Sequence, residues 1–207
     1  MSKRVVVVSA GLRSPSSTKL LADQLAAAVE RLAAVEVRHV EVREHAHAIA
    51  DALMTGFPSG ALAEDLGAVA GADALIVVTP TFQASYSGLF KSFMDLVETD
   101  SVRGTPVLLA ATGGSERHSL MIESALRPLF AYLGAVSVPT GVYAATSDFG
   151  GEYAAALAGR VDRAASELAT LAGLDGHEAS GRSVRRTPVD EFADVTPFSE
   201  LLNRVRT

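Results

Sequence analysis

Residues 5–18 read Val5-Val6-Val7-Val8-Ser9-Ala10-Gly11-Leu12-Arg13-Ser14-Pro15-Ser16-Ser17-Thr18. Four consecutive β-branched residues suit a strand covered on both faces, since such a strand has no solvent side on which polar residues would alternate. The Gly, Pro and Ser positions that follow end the strand in a turn. Beyond the turn, Leu21, Leu25, Ala28 and Leu32 recur at helical spacing, so a first helix is expected from Ser17 to Ala33. The order is therefore strand, serine-rich turn, helix.

The same alternation continues along the chain. Val35, Val37 and Val40, separated by Glu36, Arg38 and Glu41, read as a second strand whose polar alternation suggests a sheet edge. Ala74 to Thr79, Pro106 to Ala111 and Val136 to Tyr143 read as three more strands. Helices are expected over residues 46–54 and 61–70, on the face Leu89, Phe93 and Leu96, and on the face Leu157, Val161, Ala165, Leu168 and Leu171. A further helical face, Ile122, Leu126, Leu129 and Leu133, contains Pro128, which should kink it. Strands alternating with helices imply a parallel sheet covered on both sides. The expected architecture is α/β: a flavodoxin-like three-layer sandwich with a five-stranded parallel sheet in the order 2-1-3-4-5. One domain is expected over residues 1–174. Residues 175–207 read as a C-terminal tail, first a polar linker and then an apolar segment from Phe192 to Val205 that would dock on the domain or on a second subunit.

The bulk composition fits that reading. The chain has 207 residues, 48% hydrophobic and 20% charged, which suits one well-filled core. It has no cysteine, which excludes a disulfide scaffold, a thiolate metal site and a cysteine nucleophile. The apolar run after Met1-Ser2-Lys3-Arg4 is too short for a signal-peptide core, and no later run approaches about 18 residues. A cytoplasmic protein without a membrane partner is the expectation. The net charge of -6 argues against nucleic acid. His39, His45 and His47 show no ligand spacing with carboxylates, so they are read as surface residues and no metal is expected.

In an open α/β sheet, ligands bind outside the carboxyl ends of the strands. Three loops at that edge are rich in small and polar residues. Loop one runs from Ser9 to Thr18. Backbone N–H groups and the positive end of the helix favour an anion there, and Ser9, Ser16, Ser17, Thr18 and Arg13, with Leu12 between, are the candidates for holding a phosphate. Neither Gly-Lys-Ser/Thr nor G-x-G-x-x-G occurs, so the pattern is that of a monophosphate site built from hydroxyls. Ser16 or Ser17 would equally serve as a plain helix cap.

Loop two runs Thr79-Pro80-Thr81-Phe82-Gln83-Ala84-Ser85-Tyr86-Ser87-Gly88-Leu89-Phe90-Lys91-Ser92-Phe93-Met94-Asp95. It resembles the NAD(P)H-dependent FMN reductase family, whose loop reads T-P-x-Y-N-x-S-Y-P-G-x-L-K-x-x-x-D. Thr79, Pro80, Ser85, Tyr86, Gly88, Lys91 and Asp95 match; Phe82, Gln83, Ser87 and Phe90 stand where Tyr, Asn, Pro and Leu are usual. The resemblance implies that Pro80, Thr81, Phe82 and Gln83 lie against a flavin ring. Gln83 keeps the donor and acceptor that ring recognition needs. Lys91 and Asp95, four apart on one helix face, are read as an ion pair without a catalytic role.

Loop three is Thr112-Gly113-Gly114-Ser115-Glu116-Arg117-His118-Ser119. Its small residues let backbone N–H groups approach a flat ring, so Thr112, Gly113, Gly114 and Ser115 are ring candidates. His118 and Arg117 either contact flavin or nicotinamide or are solvated residues entering a helix. The stretch through Ala125 to Leu133 is similar to the branch of the family that supplies reduced flavin to luciferase-like two-component monooxygenases. The resemblance implies FMN and NAD(P)H as cofactors, a homodimer or homotetramer, a flavin-dependent monooxygenase as partner, and hydride transfer from the nicotinamide to flavin N5. No catalytic acid, base or nucleophile is then required, because the cofactor carries the chemistry. The alternatives are a quinone or azo-compound reductase of the same fold, a flavodoxin-type electron carrier, and a binding module without turnover. The absence of Trp speaks for an open ring face and against the carrier.

Overall fold

A computed structural model describes residues 2–174; the tail expected to dock, residues 175–207, lies outside the described residues. Strand β1 (Lys3–Ser9) is buried from Val5 onward. It pairs in parallel with β2 (Val35–Glu41) on one side and with β3 (Ala74–Phe82) on the other. β3 pairs in parallel with β5 (Pro106–Gly113), and β5 with two short segments, β6 (Val136–Ser137) and β7 (Val142–Ala145). A two-residue strand, β4 (Ser85–Tyr86), turns back antiparallel on β3. The main path β2-β1-β3-β5-β6, with β7 also on β5, is the expected flavodoxin-like order.

The continuous apolar runs exist because alternate residues serve two cores. Val6, Val8, Leu75, Val77, Val107 and Leu109 face one cluster, with Phe90, Phe93 and Phe130 at its centre. Val5, Val7, Ile76, Val78, Leu108 and Ala110 face the other, which is closed by Leu21, Leu25, Val161 and Leu168. The first cluster is covered by α2 (Ala46–Thr55), α3 (Gly60–Ala70), α4 (Gly88–Met94) and α5 (Arg127–Tyr132). The second is covered by α1 (Ser17–Leu32) and α6 (Ala154–Leu171). β2 is the expected edge strand, with only Val40 fully buried among its three valines. Among the described residues, no helix is long and apolar enough to cross a membrane.

Four expectations need correction. The fifth strand is broken between Ser137 and Val142. Pro139 has no N–H to offer the ladder, and the Thr140 N–H donates instead to the Glu167 carboxylate on α6 at 2.8 Å. β3 does not end at Thr79 but continues to Phe82 as one arm of a hairpin. α4 ends at Met94, where Leu96 and Val97 N–H groups bond back three residues rather than four, so its buried face is Phe90, Phe93 and Met94 and not Leu89, Phe93 and Leu96. On α6 the buried face turns through Ala164, Ala165, Leu168 and Ala169, leaving Leu171 42% exposed. Pro128 does disturb its helix. Residues Ile122–Leu126 form a π turn, and α5 starts afresh with the proline in its first turn, where its missing N–H costs little.

Candidate functional site

The three loops meet at the carboxyl edge because their strands are adjacent. Ser9 is paired with Val78, Pro80 with Thr112, and Gly113 with Ala145. The buried hydroxyls of Thr18 and Thr112 share a hydrogen bond of 2.8 Å, which ties the start of α1 to the end of β5. Loop one and loop three are thus one surface.

In loop one, Ser9 and Thr18 are buried, whereas Leu12, Arg13 and Ser17 are exposed. Ser16 is the helix cap: its Oγ accepts from the Lys19 N–H at 3.2 Å. Replacing Ser16 by Ala should cost about 1 kcal/mol, and calorimetry should register a Tm lower by roughly 2–4 °C. Gly11 was not singled out from sequence, yet the loop needs it. A Cβ there would overlap the Ser16 hydroxyl and lie 3.2 Å from the Thr18 Cβ. The N–H groups of Leu12, Arg13, Ser14 and Ser17 make no hydrogen bond among the described residues, and no acidic residue sits in the first turn of α1. A hollow of about 220 Å³ opens beside this loop, lined by Ser9, Gly11, Arg13, Ser16, Lys19 and Arg43. Lys19 is committed to Asp23 and Glu41, and Arg43 to Glu41. The Glu41 hydrogen bond is the main reason that the Lys19 ammonium holds its proton more tightly than usual. Arg13 forms no ion pair among the described residues, so its charge is available for an anion.

Loop two is a hairpin. Thr81 pairs with Tyr86 and Phe82 with Ser85, and the two connecting residues, Gln83 and Ala84, have φ of 49° and 64°. Positive φ at both central positions is the geometry of a tight hairpin turn, usually given to Asn or Gly. Holding it with Gln and Ala stores backbone strain, a feature that clusters at binding sites. The hairpin base is secured by Thr79, whose Oγ1 accepts from the Ser87 N–H at 3.1 Å, and by Ser87, whose Oγ accepts from the Phe90 N–H at 3.1 Å. Phe82 is 46% exposed at the tip. Thr81 Oγ1 is buried with no hydrogen-bond partner among the described residues. Lys91 and Asp95 form the expected exposed ion pair.

In loop three, the two glycines differ. A Cβ on Gly113 would run into the Tyr143 hydroxyl, whereas one on Gly114 would meet nothing within 4 Å. Gly113 is small for an internal reason; Gly114 leaves open surface. Tyr143, also missed from sequence, donates its hydroxyl to the Ser115 carbonyl at 2.9 Å. Burial pushes the Tyr143 phenol above its ordinary pKa; the Thr81 hydroxyl nearby opposes this, and the Glu116 and Asp148 carboxylates reinforce it. Arg117 and His118 are exposed on a single helical turn.

His45 corrects the surface reading of the histidines. It is 9% exposed, and its Nε2 lies 2.7 Å from Asp65 Oδ2, while Arg38 donates to Asp65 Oδ1 at 2.9 and 2.6 Å. His39 and His47 are exposed, although His39 Nδ1 lies 3.6 Å from Asp23.

These residues fit a flavin mononucleotide. The loop-one N–H groups and Arg13 suit a phosphate, the open backbone at Gly114 suits a polar flat ring, and exposed Phe82 suits a ring face. The family model described as NADPH-dependent FMN reductase matches residues 3–150. The NADH-dependent FMN reductase SfnF of Pseudomonas putida is 47% identical over 147 residues, covering 70% of this chain and 79% of the relative. The NADH-dependent FMN reductase SfnE of the same organism is 38% identical over 182 residues, covering 86% and 96%. Among solved structures, an oxidoreductase from Corynebacterium diphtheriae superposes with a TM-score of 0.80 at 45% identity, covering 83% of this chain and 97% of that one. The chain therefore belongs to the NADPH-dependent FMN reductase family, and is a flavodoxin-like oxidoreductase that uses FMN and a nicotinamide dinucleotide.

Proposed function

We propose that loop one holds the FMN phosphate, that loops two and three hold its ring, and that the reduced flavin is delivered to a two-component monooxygenase. A bound FMN would supply a hydride acceptor for the nicotinamide, at N5, and a carrier for both electrons. The chain's own residues bind and orient. Ser9, Ser16, Ser17 and the N–H groups from Leu12 onward surround the phosphate, and Arg13 supplies the charge. Thr18 and Thr112, bridged to each other, keep the phosphate loop against the ring loop. Pro80, Thr81, Phe82 and Gln83 of loop two and Thr112, Gly113, Gly114, Ser115 and His118 of loop three would hold the ring. No side chain is assigned a proton transfer, and the contribution is the alignment of donor and acceptor.

The single observation that carries this reading is the open backbone at Gly114, where a Cβ would meet nothing within 4 Å, in a loop that the Thr18–Thr112 hydrogen bond ties to the Arg13 loop; such a backbone would leave one face of a flat ring uncovered. An uncovered face suits a docking hydride donor. Apolar Met54 and Phe57, 89% and 81% exposed, favour a homodimer or homotetramer as the working unit.

The test is steady-state oxidation of NADH and NADPH with free FMN, coupled to a luciferase-like monooxygenase. Oxidation should saturate with FMN and the coupled monooxygenase should turn over. If oxidation instead needs a quinone or azo compound while FMN stays bound, the delivery role is wrong.

A further inference from the structure

Tyr143 sits on β7, outside all three loops, and is 8% exposed. Its ring packs in the core cluster that contains Phe90 and Phe130. Packing alone would be met equally well by Phe. The hydroxyl has a different destination: it reaches across from the neighbouring strand and donates to the Ser115 carbonyl at 2.9 Å. That bond spans Gly113 and Gly114, the two residues in the loop with the least intrinsic stiffness. The space for it is provided by Gly113, where a Cβ would occupy the position of the phenol oxygen. A second, longer contact runs the same way, with the Thr146 hydroxyl donating to the Gly113 carbonyl at 3.5 Å. Arg160 in turn donates to the Tyr143 carbonyl at 3.4 Å and to the Asp148 carboxylate at 3.2 Å, anchoring the strand end that carries the phenol.

We propose that Tyr143 is a positioning residue for flavin: its hydroxyl holds the Gly113–Ser115 backbone in the shape that receives the ring, and Gly113 is glycine to admit that hydroxyl. The proposal rests on the reading that loop three meets the ring. It assigns the pair Tyr143–Gly113 one joint role. Loss of the hydroxyl frees the Ser115 carbonyl and returns two glycines to their own flexibility, so the ring then orders the loop at the expense of affinity.

The experiment uses the full chain with Tyr143→Phe, titrated with FMN and with riboflavin, alongside the absorption spectrum of the bound flavin and the melting temperature. One hydrogen bond of ordinary strength corresponds to about a fivefold change. Both flavins should therefore bind about fivefold more weakly, by the same factor, because the ring and not the phosphate is affected. The spectrum of the bound flavin should shift, a change that a merely structural bond would not produce. Gly113→Ala should weaken flavin binding more in the parent than in the Tyr143→Phe background, where the obstructing oxygen is gone. Parent-like affinity and spectrum in Tyr143→Phe, with or without a lower melting temperature, overturn the proposal. Gly114→Leu separates the two levels. If Gly114→Leu weakens flavin binding or turnover and Tyr143→Phe leaves affinity and spectrum like the parent, the positioning role alone fails; if Gly114→Leu binds flavin and turns over like the parent, the ring-loop reading fails and takes the proposal with it.

Discussion

Gly114→Leu should lower NAD(P)H oxidation at least about tenfold, equivalent to roughly 1.4 kcal/mol of barrier. The structure makes this substitution informative because it is internally harmless. A Cβ at Gly114 meets no atom within 4 Å, and the residue does not have the positive φ that would strain a side chain. A leucine there projects into the open space in front of loop three, where under the proposed reading the ring and the nicotinamide have to stack within about 3–3.5 Å of each other. The melting temperature should stay near that of the parent while flavin affinity, turnover or both fall. Gly113→Ala is the contrasting case, since its Cβ collides with the Tyr143 hydroxyl and its effect begins inside the protein. Parent-like turnover in Gly114→Leu would remove Thr112 to Ser115 from the ring site.

Arg13→Ala should weaken FMN binding while leaving riboflavin nearly unaffected. A charged hydrogen bond to phosphate contributes about 1.5–3 kcal/mol, which is roughly 10- to 150-fold in affinity. The prediction follows from elimination among the cations around the hollow. Lys19 and Arg43 are neutralised by Asp23 and Glu41, and Arg13 is exposed beside N–H groups with no partner of their own. Riboflavin lacks the phosphate and so reports only the ring. Titration of both ligands, at one stated ionic strength, checks the difference; equal losses would detach the phosphate from loop one.

The sheet order was legible because Val5 to Val8, Ala74 to Thr79 and Pro106 to Ala111 are unbroken apolar runs, and only strands buried on both faces need them. The convergence of the three candidate loops at one sheet edge was legible for a related reason, as each follows such a run. What stayed hidden depends on partners distant in the chain. The break in the last strand requires Glu167 to take the Thr140 N–H, an arrangement 27 residues apart in sequence. The loop-two hairpin carries Gln83-Ala84 at its turn, where neither residue announces positive φ as Asn-Gly would. His45 looked solvated because its partners, Asp65 and Arg38, approach only when α3 packs over β2. Gly113 was read as room for a ligand, and only the position of Tyr143 on a neighbouring strand gives it an internal purpose. The one visible hint was an aromatic residue in the otherwise aliphatic Val142-Tyr143-Ala144-Ala145.

This edge of the sheet is proposed to bind FMN with one ring face open to a nicotinamide. The most direct test is anaerobic stopped-flow bleaching of FMN mixed with the protein, using NADH and NADPH in turn. Full two-electron bleaching is expected in a single phase with at least one nicotinamide, without accumulation of a one-electron form. Bound FMN that remains oxidised with both nicotinamides would contradict this proposal and leave an electron carrier in its place.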